Sequence, residues 1–137
     1  MVMRIKRIPS SQVPRELVLA AKRAAWDAGL DLGLGAIQIV WFRPYPGEET
    51  AGFFDEYFPN VIHLSADWAK RNGPQQVKAA CYHEVRHDWQ IRPERHGRFT
   101  GYGMAGKCED DANAYAYRKT GVVLNVANWF DNKQNYK

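Results

Sequence analysis

His83 and His87 lie four positions apart, with Glu84 directly after the first, in the run Ala80-Cys81-Tyr82-His83-Glu84-Val85-Arg86-His87-Asp88-Trp89. On an α-helix this spacing places two imidazoles on one face about one turn apart, near enough for both to reach a single Zn²⁺. Glu84 is turned about 100° around the helix, so its carboxylate reaches a metal-held water without taking a ligand position. Glu84 is therefore the candidate general base. Two nitrogen ligands do not complete a zinc site, and the pattern requires a third ligand from elsewhere in the chain.

The pair needs a helix to present it. Pro74 after Gly73 suits a first helical position, Pro93 bars continuation, and Gln75 to Ile91 contains neither Gly nor Pro. Val77, Cys81, Val85 and Trp89 recur every four residues, an apolar stripe roughly opposite the histidines. This predicts a helix that buries one face in the core and carries the metal on the other.

The third ligand is sought downstream. After Pro93 the chain is rich in glycine (Gly97, Gly101, Gly103 and Gly106), which reads as a loop beside the metal, with His96 and Tyr102 as candidate donors to an oxyanion. Lys107 to Thr120 then reads as a helix, with Glu109, Asp110 and Asp111 in its first turn, Arg118 and Lys119 in its last, and Gly121 as its stop. Glu109 and Asn113 share a face, so Glu109 can reach the ion while Asn113 hydrogen-bonds and orients a ligating imidazole. Ala112 and Ala116 beside them would let the two helices approach closely. Asp110 and Asp111 are the alternative carboxylates, and all three acids would also serve as plain helix-start residues.

The remaining elements supply the frame. Arg4 to Ile8 alternates basic and apolar side chains, enough for a short edge strand or an ordered arm. Pro14 to Ala28 predicts a helix packed through Leu17, Ala21, Ala24 and Ala28 and stopped at Gly29, its charged residues, Asp27 among them, on a solvated face. Ile37, Ile39 and Trp41 alternate with Gln38, Val40 and Phe42 in a strand, and Gly52-Phe53-Phe54 with Val61-Ile62-His63-Leu64-Ser65 reads as a hairpin turning at Pro59-Asn60. His63 falls on the polar side of the second hairpin strand, as a solvated residue or an additional ligand. Ser65 or Asp67 can cap a short helical turn over Ala66 to Asn72. Val126, Trp129 and Phe130 suggest a short packed segment before a frayed tail.

Composition bounds the function classes. The 137 residues are 45% hydrophobic, with five Trp, seven Tyr and six Phe, enough for one domain (residues 1–137) with its own core. The 19 basic and 15 acidic residues leave +4, scattered rather than clustered, which argues against a dedicated nucleic-acid arm. Two cysteines, Cys81 and Cys108, are too few for a secreted disulfide framework and read as reduced thiols, each near a proposed ligand and able to approach the other. With neither an apolar leader nor a long apolar span, the chain is expected to be cytoplasmic, with no membrane partner.

His83-Glu84-Val85-Arg86-His87 followed by Glu109-Asp110-Asp111-Ala112-Asn113-Ala114-Tyr115-Ala116 resembles the small single-domain zinc metallopeptidases of the gluzincin group, including ImmA/IrrE-like and related phage-borne proteins, over residues 50 to 118 or so. The resemblance implies a zincin-like α+β fold, with a small antiparallel or mixed sheet on the active-site helix and the strand Val61 to Ser65 running along the substrate cleft. It implies His83, His87 and Glu109 as ligands, Glu84 as general base and Asn113 as the residue behind a ligand. The oxyanion donor has no motif position, and Tyr102, Tyr115 and His96 are the candidates, with Tyr102 the one assigned to catalysis. The expected function is zinc-dependent hydrolysis of a protein or peptide. The alternative is a non-catalytic regulatory or binding module stabilised by zinc, which a fourth protein ligand such as His63 or His96 would favour.

Overall fold

Local sequence sets most element boundaries. In the computed structural model, which describes residues 5–45, 50–95, 98–99 and 104–125, the chain forms Ile5–Arg7 (β1), Arg15–Asp31 (α1), Gln38–Pro44 (β2), Gly52–Phe54 (β3), Val61–Ser65 (β4), Ala66–Asn72 (α2), Pro74–Gln90 (α3) and Ala105–Thr120 (α4). One-turn 3-10 helices at Ser10–Gln12 and Pro93–Arg95 complete the list among the described residues. The architecture is α+β, with a mixed sheet in the order β1-β2-β4-β3. Among the described residues no helix is long and apolar enough to cross a membrane. His96, Tyr102, Val126, Trp129 and Phe130 lie outside the described residues.

α1 runs past the expected stop at Gly29. Leu34 and Gly35 fold back to donate to the Gly29 carbonyl at 2.8 and 3.2 Å, and a Cβ at Gly29 would stand 2.1 Å from the Gly35 carbonyl oxygen. Gly29 is therefore a close-approach residue inside the helix, and Gly33, with φ +70°, makes the turn. The alanine stripe buries as expected: Ala21, Ala24 and Ala28 are almost fully enclosed. These small side chains bring α1 against α3, where the Cys81 thiol lies 3.6 Å from the Ala21 carbonyl.

The sheet has two different faces. Ile39, Trp41, Ile62 and Leu64 belong to the continuous core shared with α1, α2, α3 and α4. On the other face the register aligns Val40, His63 and Phe53 in one row across β2, β4 and β3. β4 pairs in parallel with β2 on one side and antiparallel with β3 on the other. Its backbone groups are thus committed within the sheet, so β4 has no free edge for a substrate strand to pair with; among the described residues β3 is the edge on that side, and β1 the edge on the other.

α3 departs from the expected two-faced helix. Besides Val77, Cys81 and Val85, the residues Tyr82, His83, Glu84 and Asp88 are also buried, because α1, α4 and the β3–β4 hairpin surround it. Trp89 is only half-buried, held between the guanidinium groups of Arg86 and Arg95 at 3.7 and 4.2 Å. α4 starts at Ala105, two residues before the expected start, so its first turn holds no acid and Glu109 to Asp111 sit one turn in. Its end follows expectation, with Gly121 left-handed at φ 72° and Arg118 and Lys119 in the last turn.

Candidate metal centre

α3 and α4 bring the predicted ligands together. His83 Nε2 and His87 Nε2 are 3.0 Å apart, Glu109 Oε2 is 3.1 Å from the first, and Glu109 Oε1 is 2.9 Å from the second. For a tetrahedral Zn²⁺ with N and O ligands at about 2.0–2.1 Å, neighbouring ligand atoms stand about 3.3 Å apart. The observed edges fall a few tenths of an ångström short, so slight spreading admits the ion. Two imidazole nitrogens and the two oxygens of one carboxylate face one another at these distances, which calls for a cation or shared protons between them. The residues fit zinc, and among the described residues they are the one group of His, Cys, Asp and Glu side chains with converging ligand atoms.

Electrostatics agree with that geometry. Burial by itself pushes His87 down, but the hydrogen bond to Glu109 and the charge of Glu84 outweigh it and lift the imidazole to about 9. His83 moves the same way, burial being overcome by Glu109 and Glu84. Glu84 is raised, chiefly by burial, against the opposing pull of the two histidines. A carboxylate raised in this way accepts a proton more readily than an exposed one.

The other predicted residues divide. Asn113 is buried, yet neither atom of its amide has a hydrogen-bond partner among the described residues, so no bond to an imidazole is present. The contact to a ligand comes instead from Gln90, whose Oε1 is 2.9 Å from His87 Nδ1. Asp111 is drawn away from the cluster into a two-pronged pair with Arg86, at 2.7 and 3.2 Å, and Asp110 is exposed. Tyr115 also points elsewhere, donating to Asp31 at 2.8 Å. His63 is neither solvated nor a ligand: it is buried, stacked on Phe53 at 4.2 Å and 8° and edge-on to Phe42.

The two thiols do not meet. Cys81 faces Ala21 on α1, whereas Cys108 lies 3.0 Å from the Phe99 carbonyl. Both are free.

A further buried acid had no signature in the sequence. Asp88 accepts from the Asn60 backbone N–H at 2.8 Å and from Arg92 at 2.9 Å. Asn60 stands at φ 65° and donates its side chain to the Leu34 and Ala36 carbonyls, so Asp88 ties the start of β4 to the end of α3. Only the return of a turn 28 residues away makes this aspartate a positioning group.

A groove of about 1090 Å³ opens beside the cluster and crosses the outer face of the sheet. It is lined by His87 and Glu109, by Val40, His63 and Phe53 of the sheet, and by Arg7 of β1. Tyr57 and Phe58, both exposed, line it from the β3–β4 turn. The chain matches no family model, no curated protein and no solved structure.

Proposed function

We propose that the protein is a zinc-dependent metallopeptidase of zincin-like architecture that hydrolyses a peptide bond in a protein or peptide substrate. The observation that carries the reading is the convergence of His83 Nε2, His87 Nε2 and the Glu109 carboxylate, one oxygen against each imidazole, close to the buried Glu84 and beside a groove of about 1090 Å³ that His87 and Glu109 help to line. His83, His87 and Glu109 hold the ion. Bound there, zinc supplies a Lewis acid and lowers the pKa of its water. A set of three protein donors rather than four is the number found in catalytic rather than structural zinc sites.

Glu84 takes the proton from the attacking water and passes it to the leaving amine. Its burial raises its affinity for a proton, which favours the first of these transfers. β3 offers the substrate an edge: among the described residues its strand is paired on the β4 side only, where Gly52 lets it lie close to β4, since a Cβ there would stand 2.4 Å from the His63 carbonyl oxygen. An extended peptide adding to that edge gains main-chain hydrogen bonds while its side chains lie toward Phe53 and His63.

The test is Glu84→Gln in the full chain, with zinc measured by elemental analysis and cleavage followed on a denatured protein substrate. The expected outcome is about one zinc per chain retained and a rate lower by about 10²–10⁴. Zinc retained with undiminished cleavage overturns the role of Glu84. Zinc bound by the wild-type protein with no hydrolysis of any peptide overturns the enzyme and leaves a zinc-stabilised binding module.

A further inference from the structure

We propose that Gln90 is the positioning residue of the metal centre, fixing His87 as the Nδ1–H tautomer so that its Nε2 faces the ion; this rests on the reading of His83, His87 and Glu109 as zinc ligands. Gln90 is 1% exposed and sits three residues after His87, on the same side of α3. Its Oε1 meets His87 Nδ1 at 2.9 Å, and its Nε2 meets two acceptors, the Cys108 carbonyl at 2.9 Å and Asp111 Oδ2 at 2.9 Å.

The polarity of this chain of bonds has one solution. Arg86 only donates, and it faces both oxygens of Asp111. An ionised Asp111 only accepts, so the Gln90 atom facing it, and facing the Cys108 carbonyl as well, is the NH₂. The Gln90 oxygen then points at His87, and an amide oxygen is met by an N–H; the proton therefore sits on Nδ1 and the lone pair on Nε2. Arg86, a neighbour of His87 in the chain, sets the tautomer of that histidine through two intervening side chains. The same bonds cross from α3 to α4, so they also hold Glu109 in register with the imidazoles.

The experiment titrates zinc against a chromophoric chelator for the wild type, Gln90→Met and the double variant Gln90→Glu with Asp111→Asn, each checked for fold by circular dichroism without metal. Gln90→Met keeps the volume and removes every bond, and zinc affinity is expected to fall 10–100-fold. The double variant retains an acceptor for His87 but sets a carboxylate oxygen against the Cys108 carbonyl and an amide donor against Arg86, so its affinity is expected below wild type yet above Gln90→Met, and affinity no better than Gln90→Met overturns the role of the Gln90 oxygen. Gln90→Met binding zinc as tightly as wild type overturns the proposal while leaving the metal centre intact; a folded wild type that takes no zinc overturns the metal centre itself. Should Gln90→Met not fold, imidazole ¹H–¹⁵N correlations of the zinc-loaded wild type decide. A slowly exchanging His87 Nδ1–H supports the assignment, and coordination through Nδ1 overturns it.

Discussion

Two polar clusters join the same two helices, and they are built on opposite principles. One is His83, His87 and Glu109; the other links Tyr82 of α3 and Tyr115 and Lys119 of α4 to Asp27 and Asp31 of α1. In the second, donors and acceptors balance. Tyr82 gives its hydroxyl proton to Asp27 at 2.8 Å, Tyr115 gives its own to Asp31 at 2.8 Å, and the Lys119 ammonium lies 2.9 Å from Asp27 and 3.6 Å from Asp31. In the first, two imidazole nitrogens and a carboxylate meet at 2.9–3.1 Å, held by protons shared with Glu109, which is what lifts both imidazoles. Under the proposed function an ion takes the place of those shared protons in the first cluster, whereas the second is complete as it stands.

Substitutions should separate the two principles sharply. The largest contrast is in metal content: His87→Ala is expected to reduce zinc from about one equivalent to none by elemental analysis, because two remaining ligands rarely hold the ion. Tyr82→Phe should leave the stoichiometry unchanged, and a loss of zinc there would end the distinction.

Next in size is the contribution of the ion to folding. Free zinc at 100 times its Kd should raise wild-type stability by about 2.7 kcal/mol, read as a drop in Tm when a chelator is added. The chelator should not move the Tm of His87→Ala.

Smaller again is the fastening cluster. Tyr82→Phe removes one hydrogen bond but leaves Asp27 its lysine, and should cost about 1 kcal/mol in a denaturant titration, with or without zinc.

The smallest effect is in the pH dependence. Asp27 is held below its ordinary value, first by Lys119 and then by Tyr82. Lys119 is held above its own, chiefly by Asp27. A lowered acid stabilises above its unfolded value and loses that contribution as pH falls through the folded one; a raised base stabilises below its unfolded value and loses it as pH rises through the folded one. The difference in Tm between wild type and Asp27→Asn should therefore stay flat between about pH 5 and pH 10 and shrink outside that window. The chelator-sensitive part of Tm should instead shrink progressively as pH falls below about 9, where protons held by the raised His87 compete with the ion.

The same contrast explains which residues could be read in advance. The spacing of His83 and His87 is a property of any helix, and Pro74 with the Gly-free run after it ensured that a helix would be there. Glu109 was identified because a third ligand was needed and an acid lay on the next helix. The fastening residues carried no such sign. Asp27 looked like part of a solvated face, and only the packing of α3 and α4 against α1 gave it Tyr82 and Lys119. Gln90 and Asp88 were equally unmarked, since a lone amide or acid near a helix end has no meaning until its partner arrives from Asp111 or Asn60. Asn113 drew attention through its place one turn from Glu109, but sharing a face with a ligand does not make a hydrogen bond.

By itself, the order of residues determined the helices, the strands and the candidate ligand set, because helical and extended periodicities, proline and glycine act over a few neighbouring positions. Tertiary structure alone decided that β4 lies inside the sheet and β3 at its edge, that α3 is buried nearly all round, and that His63 stacks on Phe53. Those outcomes depend on which surfaces meet across long separations in the chain. Many packings satisfy the same local pattern, and only the fitted core selects one of them.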